Sequence, residues 1–212
     1  MNDYMQRDLF DNPITELPFN VLPKDGRVHY LPALFTAAQC TAWFDTLKAS
    51  LQWQADQLVM YGRAVTTLRK VAWVGDPDCC YTYSGVQKHP QPWTPELLLI
   101  KSQLEAVCAC EFNSCLLNFY HNGNEGMGWH SDDEKELDSA TPIASLSLGG
   151  VRKFAFRHKQ DKTDAALFLE NGSLLIMHAP TQQYWNHSLL KTKTPVAARI
   201  NLTFRKINHI SV

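Results

Sequence analysis

The sequence lacks most features that direct a protein into a membrane, out of the cell or onto nucleic acid by bulk charge. Its 212 residues contain no apolar run of about 18 residues, and its N-terminal stretch carries acids where a secretion signal is basic. The 20 Lys and Arg residues nearly balance the 21 Asp and Glu residues, giving a net charge of −1. That balance excludes non-specific coating of nucleic acid and leaves a local basic patch open.

Cysteine pairs of the kind that bind zinc are also missing. The six cysteines include no two C-x-x-C motifs at zinc-site spacing, and they are sparser than in small secreted domains. We therefore expect six reduced thiols in a soluble protein that has no contact with a membrane. The expected location is the cytoplasm, at the nucleoid in a bacterium, or the nucleus in a eukaryote.

The composition predicts one globular domain over residues 1–212, with 45% hydrophobic and 19% charged residues. Residues 1–57 are interpreted as an N-terminal arm and a helix, in which Thr36 and Gln39 have capping-box spacing. Residues 58–114 contain predicted hairpins and a second helix that begins at Thr94-Pro95. Both helices carry apolar residues at intervals of three and four, which is typical of a buried face.

From residue 115 to residue 206, short β-rich runs alternate with turns such as Asn122-Gly123 and Asn171-Gly172. Closely spaced strands without intervening helices indicate a barrel or jelly roll. The predicted fold class is therefore α+β, with N-terminal helices packed on a β-barrel. The predicted strands are Cys115–Tyr120, Ile143–Leu148, Lys153–Arg157, Ala166–Leu169, Ser173–Met177 and Arg199–Arg205.

A candidate metal motif, His130-Ser131-Asp132, follows a Gly- and Asn-rich turn. Alternate residues of a strand point to the same side, so one imidazole and one carboxylate converge there. With a second histidine, such a set would form the site of non-haem Fe(II) oxygenases. His-x-Asp alone is weak evidence for a metal site, since such a motif is more often part of a surface loop.

A second set of polar residues lies in the segment RINLTFR, where Arg199, Asn201, Thr203 and Arg205 share one side of a predicted strand. Two arginines inside a barrel are costly unless they are paired with anions. A dicarboxylate suits them because a guanidinium binds a carboxylate at two points. From this segment alone, the alternative remains that these polar residues lie on a solvent-exposed outer face of the strand.

Taken together, the segments LNFYHNGNEGMGWHSDDE, WNHS and ARINLTFR resemble the AlkB family of nucleic-acid dealkylating dioxygenases, near its human nuclear DNA repair branch. The resemblance covers roughly residues 58–206 and implies a double-stranded β-helix. It implies that His130, Asp132 and His187 are the catalytic ligands of Fe(II). It also implies that 2-oxoglutarate is held by the residues Asn118, Tyr120, Arg199, Thr203 and Arg205.

The implied reaction is oxidative demethylation of 1-methyladenine or 3-methylcytosine in DNA. This is direct-reversal repair that consumes O2 and 2-oxoglutarate and releases formaldehyde and succinate. Asp133 and Glu134 would accept hydrogen bonds from the base, and Arg69 would contact DNA. Tyr61-Gly62-Arg63 resembles the family's DNA-inserting hairpin, and Tyr81-Thr82-Tyr83 resembles its substrate lid. The resemblance thus implies a substrate-recognition lid with the second helix in residues 58–114 and a jelly-roll catalytic core in residues 115–206. Ordinary strand packing is the alternative for the lid tyrosines.

Basic residues between 152 and 193 are suited to phosphate contacts, although a solvated charged face explains each one separately. They are Arg152, Lys153, Arg157, Lys159, Lys162, Lys191 and Lys193. The expected partner is alkylated DNA, single- or double-stranded, or RNA, bound by a monomer. Two other functions stay open on sequence grounds: a 2-oxoglutarate hydroxylase of RNA or protein, and a cupin-like binding module without catalysis.

Overall fold

The computed structural model describes residues 17–60, 63–79, 81–83 and 86–208, and gives only the backbone for residues 56–60, 63–65, 81–83 and 86–88. Two antiparallel sheets enclose a shared apolar core, as the predicted jelly roll requires. A separate two-stranded hairpin pairs β4 (Tyr81–Tyr83) with β5 (Val86–Lys88). Among the described helices, none has the length and hydropathy needed to cross a bilayer.

The larger sheet has seven strands in the order β1-β11-β8-β13-β6-β3-β2. They are β1 (Arg27–Leu31), β2 (Gln54–Met60), β3 (Arg63–Gly75), β6 (Ser114–Tyr120), β8 (Ile143–Gly149), β11 (Leu174–His178) and β13 (Arg199–Arg205). The predicted strands from the C-terminal half are confirmed to within a few residues.

The smaller sheet has four strands in the order β10-β9-β12-β7, which leaves β7 at its edge. They are β7 (Met127–His130), β9 (Arg152–His158), β10 (Asp164–Leu169) and β12 (Trp185–Leu189). A single-turn helix, α3 (Thr181–Tyr184), leads directly into β12. Neither β7 nor β12 was among the predicted strands.

Two helices cover the outside of the larger sheet, as predicted. In α1 (Ala37–Ser50), Thr36 and Gln39 form the expected capping box, and Trp43 and Leu47 are buried. In α2 (Pro95–Cys108), the Thr94 side chain accepts a hydrogen bond from the backbone N–H of Leu97, and the helix buries three aliphatic residues. Burial of each large apolar side chain stabilises the fold by about 1.5–3 kcal/mol.

Strict alternation along β13 separates the core from the barrel interior. Ile200, Leu202 and Phe204 face the helices and join the core between sheet and helices. Arg199 and Arg205 therefore lie on the opposite side of the same strand, facing the barrel interior. The same alternation holds in β6 and β8, whose apolar residues Leu117 and Leu146 belong to that core.

Strands from all three sequence segments share the larger sheet. β1 comes from the arm, and it pairs with β11 through five consecutive residues. The β2–β3 hairpin, most of which lies in residues 58–114, pairs with β6 through Lys70 to Gly75 of β3. Residues 58–114 therefore extend the barrel sheet as well as contributing the second helix.

Arg152 is not part of a basic surface, which corrects the interpretation drawn from its charge. The residue is only 1% exposed, and its guanidinium donates to the carbonyls of Asn122, Glu125 and Leu190 at 3.2, 2.6 and 2.8 Å. These bonds join the turn before β7 to the chain after β12. Arg152 is therefore a structural residue that holds the loops flanking the metal motif.

Replacing Arg152 with Met should lower the free energy of unfolding by about 2–4 kcal/mol, because several buried carbonyls would lose their donors. Urea denaturation followed by circular dichroism measures this change. The matched control is Lys153→Met at the neighbouring exposed position, which should change stability by about 0.5 kcal/mol or less. Equal stability of the two variants would contradict the structural role.

Candidate metal and co-substrate site

The three predicted metal ligands converge at the edge of the smaller sheet. His130 ends β7 and lies directly opposite His187 of β12, and Asp132 lies two residues further on. The pairing shifts register between His187 and Leu189, so β7 has an extra residue relative to β12. Such a bulge bends a strand and redirects its side chains, and bulges are frequent beside functional sites.

The donor atoms of His130, Asp132 and His187 all lie within 4.8 Å of one another. Asp132 Oδ1 is 3.5 Å from Nε2 of His130 and 3.7 Å from Nε2 of His187. Two imidazoles and one carboxylate on one face are the ligand set of non-haem Fe(II) oxygenases, with the remaining positions open. The residues therefore fit the predicted iron centre.

Neighbouring groups orient the ligands. His130 Nδ1 lies 2.8 Å from the carbonyl oxygen of Gly128, and a proton on Nδ1 would leave Nε2 free for the metal. The backbone N–H of Asp132 donates to Oε1 of Gln182 at 3.0 Å, which fixes the loop after β7. The His187 ring stacks on Phe154 with centroids 5.4 Å apart. Gln182 was not predicted, because only the fold brings α3 beneath this loop.

Arg205 donates to Asp132 through Nη2, at 2.6 Å from Oδ2, so each carboxylate oxygen has its own role. Burial opposes the ionised carboxylate, but Arg205 and hydrogen bonds to both imidazoles outweigh it. They hold the pKa of Asp132 well below its usual range. The ligand is therefore charged at neutral pH, as binding a divalent cation requires.

Arg199 is a buried cation that makes no ion pair with any carboxylate of the described residues. It is 2% exposed, and Nη2 donates to the neutral oxygens of Ser147 and Asn201 at 2.8 and 2.7 Å. Its Nε is buried and has no partner among the described residues. Burial lowers the pKa of Arg199 to about 10, and nearby Arg152 also lowers it. Such a group requires an anion, and a carboxylate of 2-oxoglutarate meets that requirement.

The other predicted co-substrate residues lie on the same interior face. Asn118 is opposite Asn201, and Tyr120 is opposite Arg199, whose guanidinium lies 5.6 Å from the tyrosine ring centroid. Asn201 Nδ2 donates to the hydroxyl of Thr203 at 2.7 Å. The face is therefore a continuous polar row between the two arginines.

Two serines of β8 complete this row and were missed. Ser147 accepts from Arg199, and Ser145 donates to Asn201 at 2.9 Å. Their period-two spacing in IASLSLG is visible in the sequence, but their partners depend on β8 pairing with β13. Only that register places the hydroxyls against Arg199 and Asn201.

Two cavities share Glu134, Leu137 and Arg205 in their walls, and one of them also borders the metal ligand Asp132. The smaller, of about 380 Å³, also contains Asp132 and Asp133, and the larger, of about 800 Å³, extends along Trp73. Both volumes lie in the range of small-molecule sites. Asp133 and Glu134 are exposed, and Asp133 accepts a hydrogen bond from Ser131 at 2.9 Å.

Several predicted substrate contacts fall outside the described part of the chain. Tyr61 and Gly62 lie outside the described residues, and the side chains of Arg63 and of residues 81–83 are outside them as well. Arg69 is described, and it does not reach solvent: it is 3% exposed, with Nη1 against the sulfur of Met127. The predicted DNA contact of Arg69 does not fit this placement.

The predicted basic stretch is partly neutralised. Arg157 forms two hydrogen bonds with Asp164, at 2.8 and 3.0 Å, and lies over Trp129. Lys159 donates to Ser131 and to the Gln182 carbonyl, near the metal loop. Solvent-exposed lysines remain at positions 153, 162, 191 and 193.

Comparison with known proteins agrees with the geometry. Residues 27–205 match the model of the 2OG-Fe(II) oxygenase superfamily. DNA oxidative demethylase ALKBH2 of Homo sapiens is 38% identical over 185 residues, covering 82% of this chain and 71% of the relative. Alpha-ketoglutarate-dependent dioxygenase alkB homolog 3 of Bos taurus is 35% identical over 192 residues, covering 86% and 66%.

Across the curated ALKBH2 relatives from cattle, human and mouse, the chain spans 66%, 71% and 77% of their length. A solved structure described as "The structure of OsALKBH1" superposes with a TM-score of 0.60 at 20% identity. It covers 90% of this chain and 100% of the other. That likeness concerns the fold, and it agrees with the predicted double-stranded β-helix.

Substituting Ala for His130, Asp132 or His187 should abolish stoichiometric Fe(II) binding, because each removes one of three protein ligands. Anaerobic titration calorimetry measures the binding. His121→Ala, which changes an exposed histidine outside the ligand set, should retain it. Affinity should fall as the pH is lowered, since protons compete for the imidazoles. Normal binding in any of the three variants would contradict the assignment.

Replacing Arg199 with Lys should weaken 2-oxoglutarate binding by roughly tenfold or more, because the lysine keeps the charge but loses the planar two-point contact. Titration of the metal-loaded protein with 2-oxoglutarate measures the change. Arg157→Lys, made on the outer face, is the matched control and should leave the affinity unchanged. Unaltered affinity in Arg199→Lys would place this residue outside the co-substrate site.

Proposed function

The chain belongs to the AlkB homologues of the 2OG-Fe(II) oxygenase superfamily, and from this we propose that it repairs alkylated DNA. The proposed reaction is oxidative removal of methyl groups from 1-methyladenine and 3-methylcytosine. The observation that carries it is the His130–Asp132–His187 cluster in the same barrel as the buried Arg199, which makes no ion pair with a carboxylate of the described residues.

Each residue of the centre has a defined task. The two imidazoles and Asp132 would hold iron, while Arg205 keeps Asp132 ionised and in place. Arg199, aligned by Ser147 and Asn201, binds the distal carboxylate of 2-oxoglutarate. Arg205 retains a buried Nε without a partner among the described residues, suited to the carboxylate next to the keto group. When bound, iron and 2-oxoglutarate would supply the chemistry by which O2 oxidises the methyl group, and the methyl carbon would be released as formaldehyde.

The acidic wall of the cavity supports the choice of substrate. Bases methylated at these ring nitrogens carry a positive charge, which Asp133 and Glu134 would stabilise. Their exposed carboxylates are available to an exocyclic amino group, directly after the metal ligand Asp132. Enzymes that act on a base must take it out of the stack, and both cavities are large enough to receive one.

The proposed function is tested by formaldehyde and succinate release from oligonucleotides that carry one 1-methyladenine or 3-methylcytosine. Iron and 2-oxoglutarate are supplied, and the unmethylated oligonucleotide and Asp132→Ala serve as blanks. We expect equimolar products from methylated DNA only. Succinate release from methylated RNA or a protein substrate, without release from DNA, would identify a different hydroxylase.

Tyr61 is proposed to fill the gap left by an extruded base. Tyr61→Ala should therefore reduce repair of duplex DNA by roughly tenfold, since unstacking costs a few kcal/mol, and reduce single-strand repair far less. Asp133→Ala should reduce both, because base recognition follows extrusion in either case. Equal losses on the two substrates for Tyr61→Ala would contradict the insertion role.

A further inference from the structure

Lys159 links the loop after β7 to helix α3. The lysine directly follows β9, and its ammonium group donates to Oγ of Ser131 at 3.0 Å and to the carbonyl of Gln182 at 2.8 Å. Its backbone N–H donates to the carbonyl of Tyr184 at 2.7 Å. The side chain is partly buried and lines the smaller cavity. Backbone and side chain are thus both anchored, and the positive charge has a defined place in the cavity wall.

The same ammonium group acts on Asp133, the acid assigned to base recognition. Lys159 Nζ lies 3.7 Å from Oδ2 of Asp133. An ammonium group can only donate, so Ser131 accepts from Lys159 and donates its own proton to that same Oδ2, at 2.9 Å. Among the described residues, Oδ1 of Asp133 has no hydrogen-bond donor. It therefore remains available to a base in the cavity.

The other charged groups of this cavity wall are engaged elsewhere. Arg205 pairs with Asp132. Lys206 Nζ lies 3.6 Å from a carboxylate oxygen of Glu111, which is outside the wall. Asp138 accepts two hydrogen bonds from the short turn that follows it, at 2.7 and 3.0 Å. Within the described part of this wall, Lys159 is thus the cation held against a base-recognising acid.

A purely structural role would not require the charge of Lys159. Gln182 already holds the loop, because its Oε1 accepts a hydrogen bond from the backbone N–H of Asp132 at 3.0 Å. The oxygens of Ser131 and Gln182 that bind Lys159 are neutral, and an uncharged donor could serve them. What the charge adds is its electric field at Asp133.

We propose that Lys159 is a specificity-determining residue, whose charge offsets that of Asp133 so that the cavity admits neutral methylated bases as well as cationic ones. The inference rests on the base-binding part of the proposed function. A 3-methylcytosine is cationic, and Asp133 attracts it while Lys159 repels it. In 3-methyluracil, which is neutral, a carbonyl oxygen replaces the exocyclic amino group, and an ammonium group can donate to it. Lys159 therefore acts in opposite directions on the two lesions.

The test compares single-stranded oligonucleotides that are identical except for one 3-methylcytosine or one 3-methyluracil. Fluorescence anisotropy measures their binding to the full chain without oxygen, with Fe(II) and 2-oxoglutarate supplied. Lys159→Gln keeps a donor side chain but removes the charge. We expect it to raise the ratio of affinities, 3-methylcytosine over 3-methyluracil, by roughly three- to tenfold. The effect is moderate because the side chains of Lys159 and Asp133 are 30% and 65% exposed, and solvent weakens their fields.

Three further variants separate charge from structure. Lys159→Arg keeps the charge and should leave the ratio unchanged. Lys162→Gln removes an exposed charge outside the cavity wall and should also leave it unchanged. Asp133→Asn should shift the ratio in the opposite direction, toward 3-methyluracil. A loosened loop or a lost phosphate contact weakens binding of both oligonucleotides alike, so it cancels in the ratio.

An unchanged or lowered ratio in Lys159→Gln would overturn the proposal, and so would an equal rise in Lys162→Gln. Equal affinity of the unmutated chain for methylated and unmethylated oligonucleotides would overturn it as well, since no methylated base would then be recognised. Binding is measured without turnover. Absence of demethylation after oxygen is admitted would therefore refute the proposed repair reaction and leave the binding ratio as a separate result.

Discussion

The ion pair between Arg205 and Asp132 joins the two halves of the catalytic centre. Asp132 follows the edge strand of the smaller sheet, whereas Arg205 ends a central strand of the larger one, and their atoms are 2.6 Å apart. A buried carboxylate without this partner would be costly to ionise. The pair thus fixes the distance between the metal ligands and the polar row of β13, and it supplies the charge state that iron requires.

The barrel interior contains a buried cation, Arg199, for which the described residues supply no carboxylate partner. Arg199 is fully desolvated and is bound by neutral oxygens only among the described residues. Arg205, in contrast, is already compensated by Asp132. This asymmetry makes Arg199 the stronger attraction for an incoming anion, whereas Arg205 contributes position more than net charge. A bound dicarboxylate would therefore contact one arginine that lacks a carboxylate partner among the described residues, Arg199, and one that is already paired with Asp132, Arg205.

The parts of the fold that local chemistry controls were predictable from the sequence. The capping box at Thr36 and the alternation in RINLTFR depend on neighbouring residues, and both are present as predicted. The predicted convergence of His130 and Asp132 is present, although Asp132 lies two residues beyond the end of β7 and its position depends on the loop that follows. The pairing of His187 with this motif was implied by family resemblance, since β12 and β7 are short and were not predicted as strands.

Arginine burial was the main feature that the sequence did not reveal. Arg69 was assigned to DNA by the family resemblance and Arg152 by its charge, yet Arg69 lies against Met127 and Arg152 binds loop carbonyls. A guanidinium with five donors can satisfy a buried loop as well as a phosphate. Whether an arginine is buried or contacts phosphate depends on contacts between distant segments, such as 122–125 and 190. No local sequence pattern predicts such contacts.

Because His130 and His187 lie on neighbouring strands, a bound iron ion would also stabilise the pairing of β7 with β12. β7 is an edge strand, and its register with β12 is interrupted beside the ligands, so few backbone bonds retain it. An ion bound to His130 and His187 would link β7 to β12 at a place where few backbone hydrogen bonds join the two strands. Iron binding would then increase the free energy of unfolding by mass action. The increase would grow with the ratio of the free iron concentration to the dissociation constant. When iron is scarce, β7, the strand that carries His130, would be the first element to separate from its sheet.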